Sequence, residues 1–381
     1  MYIDLTAEQR QLRAELRRYF AGLITPDERR TMLRERHGEV YRRIVRRMGK
    51  DGWLGVGWPK EYGGRGFGDL EQHIFADEAA RADVQLPAVT LQTVGPTLQT
   101  FGTQTQKDEF LPRILAGEVH FAIGYTEPGA GTDLAALSTT AVRDGDTYVV
   151  NGQKIFTTGG HDADYIWLAV RTDPAAPKHK GISILIVDTR DPGYSWTPTI
   201  TCDGAHHVNA TYYTDVRVPA DMLVGEENLG WKLITTQLNH ERVMLGPAGR
   251  IGGLHDRVHD WAAARQLLDQ PDVRSALYET QATVRINELL NWQVAVTQPV
   301  DVADASATKV FGSERIQRIA RLLEEAVARH GDLTDPETAE LAGWLDVLAR
   351  RNLVLTFGGG VNEIQRELIA TVGLGLPRVP R

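Results

Sequence analysis

Two stretches and one side chain have the residue types and spacing to do chemistry. Tyr125-Thr126-Glu127-Pro128-Gly129-Ala130-Gly131-Thr132-Asp133 combines glycines, which let a backbone approach a ligand closely, with the hydroxyls of Thr126 and Thr132. Such a loop can surround a phosphate or a flavin edge with N–H groups, although Gly-Ala-Gly alone suits a plain turn equally well. Asn151-Gly152-Gln153-Lys154-Ile155-Phe156-Thr157-Thr158-Gly159 follows after a hairpin-like turn. The side chain is Glu241. Trp231, Ile234, Leu238 and Leu245 recur at spacings of 3, 4 and 7, an apolar helical stripe, and Glu241 falls on it. At ~100° per residue all five lie within an arc of roughly 80°. A carboxylate among apolar neighbours either has a buried partner or performs chemistry. Arg242 borders the stripe but, as the next residue, does not face Glu241.

Other constellations carry less. Cys202, His206 and His207 lack a fourth ligand at useful spacing, and adjacent His residues point apart on a strand, so surface or interface positions are expected. His255 and His259 share a helical face without the intervening Glu of a zinc-protease motif, and ordinary exposed histidines are expected. Gly181-Ile182-Ser183-Ile184-Leu185 lacks the second glycine of a nucleophile elbow. Arg42, Arg43, Arg46 and Arg47 flank Ile44 and Val45 at helical spacing and predict a solvated helix face.

The elements that must position these groups fall into three blocks. Residues 5 to about 120 read mainly as helices: Thr6 with Gln9 forms a capping box opening a segment to about Phe20, and further helices are expected at about 38–51, 69–82, 88–101 and 104–115. Gly55–Gly64 is a Gly/Pro loop. From about Phe121 short β-rich runs (Tyr148–Val150, Tyr165–Val170, Ile182–Val187, Thr211–Val218) alternate with turns, which suggests an antiparallel sandwich or barrel. The helical period returns from about Gly230 to about Thr371, broken at Gly331–Glu337. The fold class is α+β, divided as 1–120 (N-terminal helical), 121–228 (middle β) and 229–381 (C-terminal helical).

A chain of 381 residues can bury a core of this kind. Its net charge of −8 disfavours nucleic acid, and its single Cys202 excludes an intramolecular disulfide and fits a reducing compartment. No apolar stretch nears the roughly 20 residues of a membrane span. Met1-Tyr2-Ile3-Asp4-Leu5 shows no secretory pattern, so a cytoplasmic protein is expected.

Taken together, the 125–133 and 151–159 segments resemble the acyl-CoA dehydrogenase family, whose middle domain carries a T-E-P-x-A-G-S/T-D loop and an N-G-x-K-x-W-I-T strand. Trp58-Pro59-Lys60-Glu61-Tyr62-Gly63-Gly64 and Asn362-Glu363-Ile364-Gln365-Arg366 extend the resemblance over almost the whole chain. It implies a three-domain fold ending in a four-helix bundle, FAD as cofactor, and α,β-dehydrogenation of an acyl-CoA thioester. Carried over by position, Tyr125, Thr126, Gly131 and Thr132 would contact FAD, and Phe156 and Thr158 would lie against the isoalloxazine. Thr132 would also approach the CoA pantetheine. Many members place the catalytic Glu in an aromatic-Glu-Gly-Thr stretch before I-Q-R; here the run is Phe357-Gly358-Gly359-Gly360-Val361, and Gly359 takes the Glu position. A minority, including isovaleryl-type and long-chain-type enzymes, carry the base in an L-x-x-E-R pattern, which Leu238-Asn239-His240-Glu241-Arg242 matches. By that resemblance Glu241 is the base, Asn239 and Arg242 are substrate-side neighbours, and the Gly359 N–H is a donor to the thioester oxygen.

Homomeric relatives complete the FAD site with an R-x-x-F-G motif and a Q-x-x-G-G-x-G loop from a neighbouring subunit. The matching regions here read Ala264-Arg265-Gln266-Leu267-Leu268-Asp269-Gln270-Pro271 and Glu325-Ala326-Val327-Ala328-Arg329-His330-Gly331-Asp332. The resemblance therefore points to a homologous but different partner subunit. The chain is similar to the Glu-bearing subunit of the heterotetrameric enzymes that steroid-degrading bacteria use on sterol side chains, here a short, propionyl-type one. The alternatives are a non-catalytic partner subunit and a flavin oxidase or monooxygenase on the same fold.

Overall fold

The computed structural model describes residues 4–244, 246–297 and 300–378, with the side chains of residues 238–244 outside that description. Helix α1 (Ala7–Ala21) begins behind Thr6, whose hydroxyl accepts the Gln9 N–H while the Gln9 carbonyl oxygen accepts the Thr6 N–H. Helix α2 (Pro26–Arg34), which the sequence pattern did not reveal, opens with the same reciprocal device between Thr25 and Glu28. Helix α3 (Glu39–Lys50) buries Tyr41, Ile44, Val45 and Met48. The expected solvated face holds for the exposed Arg43, Arg46 and Arg47, but Arg42 is half-buried and pairs with Asp162 (2.9 Å) and Asp164 (3.2 Å) across the domain boundary. Helices α4 (Asp69–Arg81), α5 (Gly95–Phe101) and α6 (Gln104–Leu115) complete the first block.

The middle block is one sheet. Its strands are β1 (Phe121–Gly124), β2 (Thr140–Asp144), β3 (Thr147–Thr158), β4 (Tyr165–Arg171), β5 (Ile182–Asp188), β6 (Tyr194–Ile200), β7 (His206–Pro219) and β8 (Leu223–Val224). The order is β6-β7-β3-β2-β4-β5-β8, with β1 beside β4. Most pairs are antiparallel, but β1 and β2 run parallel to β4, because β1 arrives from a helix and not through a hairpin. Trp167 and Ala169 of β4 face the core of the N-terminal helices, whereas Ile166, Leu168 and Val170 face the opposite core. Burial on both faces explains why this strand reads as an unbroken apolar run.

Eight elements follow among the described residues: α7 (Gly230–Met244), α8 (Ala248–Ala264), α9 (Pro271–Val296), α10 (Val302–His330), α11 (Pro336–Arg351), a 3-10 turn (Asn352–Thr356), α12 (Asn362–Leu368) and a π turn (Ile369–Gly373). Helices α8 to α11 close around Leu254, Leu277, Ile319, Leu323 and Trp344. Helix α8 lies hard against α4: a Cβ on Gly249 would stand 1.9 Å from the Asp77 carbonyl oxygen, and one on Gly253 2.4 Å from that of Arg81.

Candidate active site

The 125–133 loop is fastened to β3 by a buried ion pair. Lys154, fully buried, donates to Glu127 at 2.8 Å and to the Tyr125 carbonyl at 3.2 Å. Glu127 also accepts the N–H and hydroxyl of Ser138 and the N–H of Thr139, and Ile155 N–H donates to the Thr126 carbonyl at 2.8 Å. Burial alone would raise the Glu127 pKa; the adjacent Lys154 charge and the Thr139 donor outweigh it and hold the carboxyl at about 2. Sequence reasoning passed over both residues, although each lies inside a stretch it singled out.

With Lys154 turned inward, the ladder between β3 and β7 slips between Lys154 and Thr157. Phe156 takes a left-handed conformation (φ 57°) and its ring stands 61% exposed; Thr158, two residues on, is exposed as well. A bulge that turns an aromatic face outward costs about 1–3 kcal/mol of backbone strain and marks a place where something is meant to lie. In the loop, Thr132 is exposed and Thr126 half-buried. A Cβ on Gly129 would meet nothing within 4 Å, and one on Gly131 only the Thr126 methyl at 4.0 Å.

Helix α7 buries Leu233, Ile234 and Gln237. The Tyr125 hydroxyl donates to the Gln237 carbonyl oxygen, and the Gln237 amide donates to Thr97 at 3.1 Å. Trp167 Nε1 in turn donates to the Tyr125 hydroxyl at 3.2 Å. Tyr125 thus ties the loop to α7 one turn before Glu241, a role its position in the sequence did not disclose. The backbone of Asn239, Glu241 and Arg242 belongs to α7, while the side chains of all three lie outside the described residues.

Beyond α7 the chain is clasped: the Asn287 and Asn291 amides of α9 donate to the Gly246 carbonyl at 2.6 and 2.9 Å. The 358–360 loop is held from α10, where buried Lys309 donates to the Gly360 carbonyl (2.7 Å) and to Asn362 (2.6 Å). Burial lowers the Lys309 pKa to about 8. Gly359 and Gly360 take φ of 68° and 95°, which only glycine adopts readily.

Matches to known proteins fit this geometry. Residues 6–118, 122–216 and 228–374 match the N-terminal, middle and C-terminal domains of acyl-CoA dehydrogenases. The acyl-CoA dehydrogenase FadE29 of Mycobacterium tuberculosis is 68% identical over 387 residues, covering 100% of both chains. The chain belongs to the acyl-CoA dehydrogenase family. Among solved structures, one described as "Tcur3481-Tcur3483 steroid ACAD" superposes with a TM-score of 0.94 at 50% identity, over 100% of each chain. The ChsE4-ChsE5 complex from Mycobacterium tuberculosis superposes with a TM-score of 0.91, also at 50% identity over 100% of each chain.

Acyl-CoA dehydrogenases are generally FAD enzymes, and the residues present here fit one face of that group. The open backbone at Gly129 and Gly131, the hydroxyls of Thr126 and Thr132, the exposed Phe156 ring and Thr158 form a surface with an aromatic plane and polar rim. The two regions where this chain departs from homomeric members of the family are occupied by its own ion pairs. Arg265 pairs with Asp335 and, at 3.3 Å, with Glu337; Arg329 and His330 both reach Asp272 at 2.9 Å.

A cavity of about 360 Å³ lies between the N-terminal helices, the sheet and the C-terminal bundle, with Thr158 in its wall. Pro247, just past α7, lines it too. The same wall holds Arg36, His37, His120, His207, Arg250 and Arg351. His207, expected at the surface or an interface, is buried and pairs with Asp203 at 3.0 Å, which also accepts from Arg351 at 2.8 Å; His206 contacts Asn209, and Cys202 is exposed. His255 is half-buried, not exposed as expected, and stacks on exposed His259 with ring centroids 5.8 Å apart. No group of three or more His, Cys, Asp or Glu suited to a metal ion occurs among the described residues, and no helix there is long and apolar enough to cross a membrane.

Proposed function

We propose that the protein is the base-bearing subunit of a heteromeric, FAD-dependent acyl-CoA dehydrogenase acting on a steroid with a short CoA-thioester side chain. In this reading Tyr125, Thr126, Gly131, Thr132, Phe156 and Thr158 hold one face of the flavin. Glu241 removes the α-proton of the thioester, leaving the electron pair to build the α,β double bond. Asn239 and Arg242 flank it on the substrate side, and Thr132 meets the pantetheine. The Gly359 N–H donates to the thioester oxygen as negative charge grows there. When bound, FAD accepts the hydride that leaves the β-carbon.

The observation that carries the reading is the fastening of two parts to each other. The Glu127–Lys154 pair fixes the candidate flavin surface, and Tyr125–Gln237 joins that surface to the helix bearing Glu241. The steroid substrate and the second subunit are supported by full-length likeness to a steroid ACAD and to a two-chain complex. They are also supported by the internal ion pairs Arg265–Asp335 and Arg329–Asp272, which engage the arginines of the two stretches that differ from the homomeric flavin-clamp motifs.

The test is co-expression with candidate partner subunits, followed by flavin absorbance and turnover with an artificial electron acceptor. Glu241→Gln is expected to keep FAD and lose at least a thousandfold in kcat. Unchanged turnover would make this chain the non-catalytic partner, and stoichiometric hydrogen peroxide would make the enzyme an oxidase.

A further inference from the structure

The cavity wall carries cations that the protein does not pair. Arg36 and Arg250 make no hydrogen bond or ion pair among the described residues, although both are half-buried. Arg351 and Arg81 are satisfied by Asp203 and Asp256, and Asp162 by Arg42. Asp83, the remaining acid of the lining, accepts the Trp344 N–H at 3.2 Å and pairs with neither free guanidinium. Around them His120 leaves both ring nitrogens without a partner, and His207 leaves Nδ1 so. Burial, and then the Arg36 charge, push His37 down to about 3; burial and Arg42 push His120 down to about 4. The histidines are therefore neutral, and Arg36 and Arg250 outnumber Asp83.

A half-buried guanidinium without a partner is costly to keep, and a ligand that pairs with it removes that cost. Which part of a ligand reaches them follows from the reading above, on which this inference rests. The reacting carbons lie between Thr158 and the helix of Glu241. Thr158 and Pro247, just past that helix, both line the cavity, so the remainder of the acyl group enters it. We propose that the cavity is a receptor for a hydrogen-bond-accepting oxygen of the acyl group distant from the thioester, bound by Arg36 and Arg250. A hydrocarbon end would leave both cations stranded. A carbonyl or carboxylate oxygen takes charge-assisted bonds from a guanidinium's planar fork.

The experiment uses the flavin-loaded complex and three steroid acyl-CoA esters with one side chain. One carries a ketone on the ring farthest from the thioester, one a carboxylate there, and one no oxygen. Wild type is expected to show a kcat/KM at least tenfold higher for one oxygenated ester than for the deoxygenated one. Which of the two it prefers identifies a neutral or an anionic ligand. Arg36→Met and Arg250→Met are each expected to bring that ratio down by about 10-fold to 100-fold, as the loss of a charge-assisted bond predicts. Calorimetric binding of the same esters reads the preference without turnover. Discrimination in binding with no turnover would sink the dehydrogenation reading and leave the receptor standing. Equal binding and kcat/KM for all three esters, or an equal loss for all three in both variants, overturns the receptor. Should either variant fail to fold, the wild-type ratios and the other variant still decide.

Discussion

Removing Lys154 probes the link between the loop and the sheet. Its ammonium lies 2.8 Å from Glu127 with 0% and 4% of the two side chains exposed, so solvent screens little of the attraction. At an effective dielectric of 20 the pair is worth about 6 kcal/mol in Coulomb energy. Desolvation offsets much of this in the intact protein, but deleting one partner leaves the other charge buried at a cost of about 3–5 kcal/mol. Glu127 keeps the Ser138 and Thr139 donors, so Lys154→Met belongs at the lower end, near 3 kcal/mol. That corresponds to a fall of about 6–12 °C in Tm at the scale of a 150–250-residue unit. The double variant Glu127→Gln with Lys154→Met carries no orphan charge and is expected to recover at least half of that loss. Thermal unfolding of the flavin-loaded complex, followed by circular dichroism and by release of flavin fluorescence, measures Lys154→Met, Glu127→Gln and the double variant. Strictly additive single effects, or a Lys154→Met loss below about 2 °C, would refute the coupled clamp.

Burial pushes the Asp77 carboxyl up to about 7, against 3.8 for a free group. The folded state thus binds the extra proton between those values, and stability falls as pH rises through that window. Asp77→Asn, which can still accept the Gly249 N–H (2.6 Å in wild type), is expected to melt above wild type at pH 8 and level with it near pH 4. Gly360→Ala forces an L side chain to φ 95° with its Cβ 2.5 Å from the Gln365 amide nitrogen. Expected are a cost of about 1–2 kcal/mol and, through displacement of the Gly359 N–H, a loss of ~10-fold or more in kcat/KM. Gln237→Met removes the acceptor of the Tyr125 hydroxyl proton and a donor to Thr97, costing about 1–3 kcal/mol. Because it disturbs the placement of Glu241, kcat and its pH profile should shift while flavin content holds; an unaltered profile would count against the positioning role.

Local signals in the sequence were read well where they are local in physics. The Thr6–Gln9 capping box and the apolar periods at 69–82 and 104–115 each concern atoms a few residues apart, and α1, α4 and α6 follow them. Strands β1 and β2, of four and five residues, are too short to show a period, and β6 carries Pro198, which suits an edge strand and weakens any β signal. The site divides in the same way. Its glycines and hydroxyls were legible because loop chemistry is contiguous. The Glu127–Lys154 pair spans 27 residues and Tyr125–Gln237 spans 112, and no periodicity reports such distances. A clue to Lys154 was present, since Tyr148, Val150 and Lys154 share the buried phase of β3. Arg36 and Arg250 sit in different blocks and meet only through the tertiary fold.

Helices α9 and α10 pack side by side, and each grips a different piece of the candidate site. Asn287 and Asn291 grip the exit of α7 at Gly246, while Lys309 grips the glycine loop at Gly360. The proposed proton acceptor and the proposed thioester-facing amide therefore share one mechanical reference, separate from the sheet that presents the candidate flavin surface. A partner chain leaning on this helix pair would carry both along together, so subunit docking could adjust their distance from the ring without changing their spacing from each other.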